Sequence, residues 1–79
     1  MKLEILTPDK SLFKGEIQSL SVPGKVGTFM VLNNHAPLIS SLVHGNISFQ
    51  TKDYQEEKIT INGGVIEIKN NAVVLLADV

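Results

Sequence analysis

The chain has 79 residues, enough for one small domain spanning 1–79 and no more; a domain of this size buries only about 60% of its unfolded surface, which favours a part that docks onto something larger. Apolar residues make up 43% of it, too many for disorder, and 7 basic against 8 acidic residues leave a net charge of -1, so no cationic surplus exists to neutralise nucleic-acid phosphates. Without cysteine there is neither a disulfide framework nor a thiolate centre, and no apolar run approaches the roughly 20 residues of a membrane span.

Read in chain order, the pattern is β throughout. Leu3 and Ile5 alternate with Lys2 and Glu4, predicting a half-buried first strand that Pro8 and Asp9 end. A longer extended segment runs from Leu12 to Val22. Leu20 and Val22 share one face while Ile17 falls on the other, so a bulge or a strand shared by two sheets is expected just after Gly15. Pro23-Gly24 predicts a turn, with a second flexible point at Gly27. The apolar run Phe29 to Leu32 suits a short strand buried on both sides, and Asn33-Asn34 a turn that tolerates positive φ.

Leu38 to Val43 reads as the next strand. After Gly45, Ile47 and Phe49 point in and Asn46, Ser48 and Gln50 point out. The polar stretch Lys52 to Lys58 reads as an exposed hairpin loop before the alternation resumes at Ile59 and Ile61. Gly63-Gly64 and Asn70-Asn71 are hairpin-turn signals flanking Val65, Ile66 and Ile68, and Val73 to Leu76 closes the pattern as a buried strand. About eight short strands at near-regular spacing define an all-β fold, a small sandwich or barrel.

Chemistry is poorly served by this sequence. His35 and His44 are too few for a zinc site, which takes three or four protein ligands. There is no Gly-x-Ser-x-Gly elbow and no phosphate-cradling loop; Gly24-Lys25-Val26-Gly27 is too short for one. Lys10 lies near the start of the chain, beside Pro8, rather than at the mid-chain hairpin tip that a lipoyl-type carrier lysine needs. The most specific local feature is His35-Ala36-Pro37-Leu38: proline forces Ala36 into an extended conformation and holds His35 at a loop tip. Phe29, Met30 and Val31 are consecutive, so they cannot all face inward. At least one must be covered by a neighbour or a partner, and Phe29→Ser is expected to weaken assembly more than folding.

The ordered set Phe13-x-Gly15, Val22-Pro23-Gly24 with Gly27, His35-Ala36-Pro37-Leu38, Gly45, Gly63-Gly64-x-x-Glu67 and Leu76-Ala77-Asp78 extends over nearly the whole chain. In this set the sequence resembles the N-terminal domain of the epsilon subunits of F-type ATP synthases (delta in mitochondria). The resemblance implies a flattened β-sandwich of two mostly antiparallel sheets in the central stalk. It implies no catalysis and no cofactor or metal. The implied partners are the gamma subunit, through residues it leaves open, the membrane c-ring and the catalytic head. It implies that proton-driven rotation is coupled to ATP synthesis at the cytoplasmic face of a bacterial plasma membrane, reached only through partners. The c-ring would be met by Gly27, Thr28 and Phe29 together with the loop of His35, Ala36 and Pro37, gathered at one end of the sandwich. Members of the family continue past Leu-Ala-Asp into a helical hairpin that can block rotation or bind ATP. The 79 residues stop at Val79, as a naturally short form or a piece of a longer chain would, and these residues are expected to impose no hairpin-dependent inhibition. The competing readings are an unrelated stand-alone binding module and, with least support, an enzyme.

Overall fold

A computed structural model describes all 79 residues as eight strands without a helix: β1 Lys2–Leu6, β2 Ser11–Gly24, β3 Gly27–Val31, β4 Leu38–Leu42, β5 Gly45–Thr51, β6 Glu56–Ile61, β7 Gly63–Lys69 and β8 Ala72–Asp78. They stack as a two-layered sandwich. One layer holds β4, β7, β8, β1 and the first half of β2; the other holds β3, the second half of β2, β5 and β6. All pairings are antiparallel except β1 with β8, which is parallel.

The parity change around Ile17 has the predicted cause. Residues 11–16 of β2 pair with β1, and the register slips between Ile17 and Ser19 before β2 continues between β3 and β5. One strand thus turns the corner between layers, and its bulge lets Ile17, Leu20 and Val22 all reach the interior. The interior is wholly apolar. Leu3, Ile5, Leu20, Ile47, Ile61, Ile66, Ile68 and Leu75 are buried with no polar side chain among them. Each such side chain contributes about 1.5–3 kcal/mol.

Both asparagine pairs fall where expected. Asn34 (φ 64), Asn70 (φ 53) and Asn71 (φ 59) take the left-handed conformation that asparagine tolerates. The two consecutive positive values close β7 onto β8 through a tight two-residue turn.

Four local expectations need correction. Pro23-Gly24 is not a turn: β2 runs through both residues, and Lys25-Val26 makes the turn. The Pro23 carbonyl accepts from Val43 N at 2.9 Å. Since N–H and C=O of a strand residue point to the same side, the missing proline N–H faces that side and leaves the β3 ladder intact. The Phe29–Leu32 segment is not buried on both sides. It is an edge strand ending at Val31, with Val31 buried and Met30 58% exposed. The Lys52–Lys58 loop is only Lys52–Gln55, since Glu56, Glu57 and Lys58 pair with Gln50, Phe49 and Ser48. Gly63-Gly64 is not a hairpin turn. Asn62 alone separates β6 from β7, and the chain there passes from one layer to the other. Gly64 lies inside β7 because a Cβ there would collide with the Leu76 carbonyl oxygen of β8.

Candidate functional site

The two outer surfaces of the sandwich differ in character. Across β2, β5 and β6 the outward residues are Ser21, Asn46, Ser48, Gln50, Lys58 and Thr60, hydroxyls, amides and an ammonium suited to water. The outer surface of the other layer carries an apolar cluster over β4, β7 and β8, bordered by charged residues on β1 and β2 and at the ends of the rows. The cross-strand register aligns Ser11, Leu6, Leu76, Val65 and Ser41 in one row, then Lys14, Glu4, Val74, Glu67 and Ile39, then Glu16, Lys2, Ala72 and Lys69. Ile39 is 70% exposed, Leu76 54% and Val65 40%. With Val74 and Glu67 they line a shallow depression of about 230 Å³.

This concentration of exposed branched side chains on one face is what a chain presents to another protein. The sequence pattern points to outward apolar surface at Phe29, Met30 and Val31 and does not single out this face. The runs Val65-Ile66 and Leu75-Leu76-Ala77 signal strands with apolar residues on both faces; they do not say whether the second face is covered from within or from outside. The signal that could have found it is the contrast with Asn46, Ser48 and Gln50, whose alternation is clean.

The residues expected to meet a c-ring fall along an edge rather than at an end. Gly27 opens β3 opposite Gly24, and Val31 closes it opposite Leu20. The strand between them spans roughly 13 Å. His35, Ala36 and Pro37 follow at the far end, in the β3–β4 loop. The expectation that both groups share one end is therefore corrected: an antiparallel strand carries the chain from one end of the layer to the other. Both groups do flank the same open side. β3 pairs only with β2, and β4 meets β2 at the single bridge Leu42–Gly24.

Along this edge Gly27, Thr28, Ala36 and Pro37 are exposed, and Phe29 and His35 are half-buried. Gly27 (φ 137) has a conformation that strains other residues, and nothing lies near the position of its absent side chain. Phe29 packs against the core and over Gly24, leaving Met30 as the outward apolar group of β3. His35 Nδ1–H donates to the Ala36 carbonyl at 2.7 Å, which leaves Nε2 free of that bond. Asn33 and Asn34 anchor the loop: Met1 N donates to Asn33 Oδ1 at 2.9 Å, and Asn34 N to Asn71 Oδ1 at 2.7 Å. His44 sits in the β4–β5 turn beside Lys58 and Gly45, away from His35. No cluster of three metal-ligating side chains occurs.

The chain is thus an all-β sandwich with an apolar cluster on one outer face, a hydrophilic opposite face and a glycine- and proline-shaped edge. The family model described as the ATP synthase delta/epsilon chain β-sandwich domain matches residues 1–79. The ATP synthase epsilon chain of Leptospira interrogans serovar Lai is 40% identical over 78 residues, covering 99% of this chain and 61% of the relative. That of Chlorobium limicola is 38% identical over 77 residues, covering 98% and 88% respectively. The chain belongs to the delta/epsilon family of ATP synthase subunits. It spans about 61% of the length of the Leptospira relative.

Two solved structures share the fold. One is a chain of the Euglena gracilis mitochondrial ATP synthase, with TM-score 0.88 and 18% identity, covering 95% of this chain and 48% of that one. The other, from the Tetrahymena thermophila mitochondrial ATP synthase central stalk and c-ring, has TM-score 0.82 and 15% identity, covering 100% and 63%.

Proposed function

We propose that this domain is a non-catalytic coupling part of the central stalk of an F-type ATP synthase. It binds the gamma subunit through the apolar outer face of β4, β7 and β8, and it meets the c-ring along the β3 edge. Ion flow, taken to be of protons, turns the ring, and the sandwich holds ring and gamma together so that rotation reaches the catalytic head. In this reading the domain works at the cytoplasmic face of a bacterial plasma membrane and touches the membrane only through its partners.

The observation that carries the proposal is the asymmetry of the two outer faces, in a family whose relatives are ATP synthase epsilon chains. Torque transmission demands stiffness and simultaneous contacts on different sides. The shared strand β2, hydrogen-bonded into both layers, supplies the stiffness. The apolar face and the β3 edge supply two separate contacts. His35 Nε2 and the Thr28 hydroxyl offer hydrogen bonds to polar loop residues of a ring, while Met30, Ala36 and Pro37 offer apolar contact beside them. Residues 1–79 form no helix, so braking by a helical segment is not a property of this domain.

The test is co-purification of the full chain with gamma and ring subunits from solubilised membranes. The proposal requires Leu76→Asp to remove gamma from the eluate and His35→Ala with Thr28→Ala to weaken retention of the ring. Elution of the unaltered chain without either subunit would refute it.

A further inference from the structure

Glu67 stands at the border of the apolar cluster, between the row of Val65 and Leu76 and the row of Lys69 and Lys2. Its cross-strand neighbours are Ile39 on β4 and Val74 on β8, and Val65 and Leu76 occupy the adjacent row. A carboxylate flanked by apolar groups on both sides is costly to cover unless the covering surface brings a cation. No cation of the chain is paired with it, although Lys69 and Lys14 lie on the same face. The only ion pair is Met1 N to Glu16 at 3.9 Å, and Glu67 makes no side-chain hydrogen bond. Lys69 lies two residues further along β7 in the next row, beyond ion-pair distance.

We infer that Glu67 is the specificity determinant of this face: its carboxylate pairs with one Lys or Arg of the covering subunit, which buries Ile39, Val65, Val74 and Leu76 around that pair. This rests on the reading of the face as the gamma-docking surface and specifies the chemistry gamma must offer, an apolar patch with a single cation at its border.

The experiment measures binding of the full chain to gamma in the reconstituted stalk for the unaltered chain, Leu76→Asp, Glu67→Leu and Glu67→Lys. Removing one member of a buried charge pair strands the other, so Glu67→Leu is expected to weaken binding roughly 30-fold or more, and Glu67→Lys further. Glu67 is exposed in the free chain, so the thermal midpoint of Glu67→Leu stays with that of the unaltered chain. Weakening by both Leu76→Asp and Glu67→Leu supports the inference. Weakening by Leu76→Asp with unchanged or tighter binding by Glu67→Leu overturns it while leaving the docking face intact, because a carboxylate covered without a cation binds better once removed. If neither variant affects binding, the docking reading fails and the inference falls with it.

Discussion

The side chain of Asn71, in the turn between β7 and β8, accepts a hydrogen bond from the backbone nitrogen of Asn34 at 2.7 Å. These residues are 37 positions apart in sequence. The bond fastens the His35 loop to the opposite layer's tightest turn. The loop proposed to meet the ring is thereby held by a residue of the scaffold.

Asn71→Ala removes this bond and also places alanine at φ 59, where a Cβ without a compensating side-chain bond is disfavoured. We expect a loss of about 1–3 kcal/mol in urea unfolding. Asn71→Gly should lose less, because glycine accepts the conformation and only the bond is missing. Hydrogen exchange at the Asn34 amide should accelerate in both variants.

Phe29 and Met30 separate folding from assembly. Phe29 packs on the core and over Gly24, so Phe29→Ser should lower stability by about 1–3 kcal/mol, contrary to the expectation that it acts mainly on assembly. Met30 is outward on the β3 edge. Met30→Ser should leave the unfolding midpoint nearly unchanged and weaken retention by the ring. Urea unfolding of both variants, paired with co-purification, checks the division.

Gly64→Ala tests close packing of two strands. The added methyl would collide with the Leu76 carbonyl oxygen, a backbone atom that cannot swing aside. The expected cost is about 1–3 kcal/mol, with β7 and β8 forced apart. Gly27→Ala meets no neighbour but takes on the strain of φ 137, so a smaller loss is expected and its origin is conformational. Thermal unfolding of both variants ranks them.

Much of the sandwich is legible in the sequence, for reasons particular to its residues. Ile47 and Phe49 alternate cleanly because the other face of β5 meets water. The parity shift at Ile17 is readable because a two-residue period has no other way to place Ile17 and Leu20 inside together. Asn70-Asn71 is readable because few residues accept two consecutive positive φ angles. Gly63-Gly64 misleads because glycine marks a close backbone approach as readily as a turn. The start of β6 is hidden because Glu57, paired with buried Phe49, lies beyond the rim of the core and carries a charge where an interior residue would be expected.

The candidate site is less legible than the fold. The loop at His35 is found through Pro37, a local constraint. The alignment of Ile39, Val65, Val74 and Leu76 comes from pairing β4 with β7 and β7 with β8, a relation between distant segments that no window of sequence contains. Glu67 stands out in sequence only as part of a motif; its position between Ile39 and Val74 appears once the strands are paired.

The most direct test compares the two outer faces in one binding assay with gamma. Leu76→Asp and Ile39→Asp charge the apolar face, and Ser48→Asp and Thr60→Asp charge the hydrophilic one. The account predicts that the first pair abolishes gamma binding while the unfolding midpoint holds, and that the second pair binds as the unaltered chain does. Loss of binding from Ser48→Asp or Thr60→Asp, with Leu76→Asp and Ile39→Asp still bound, would contradict it.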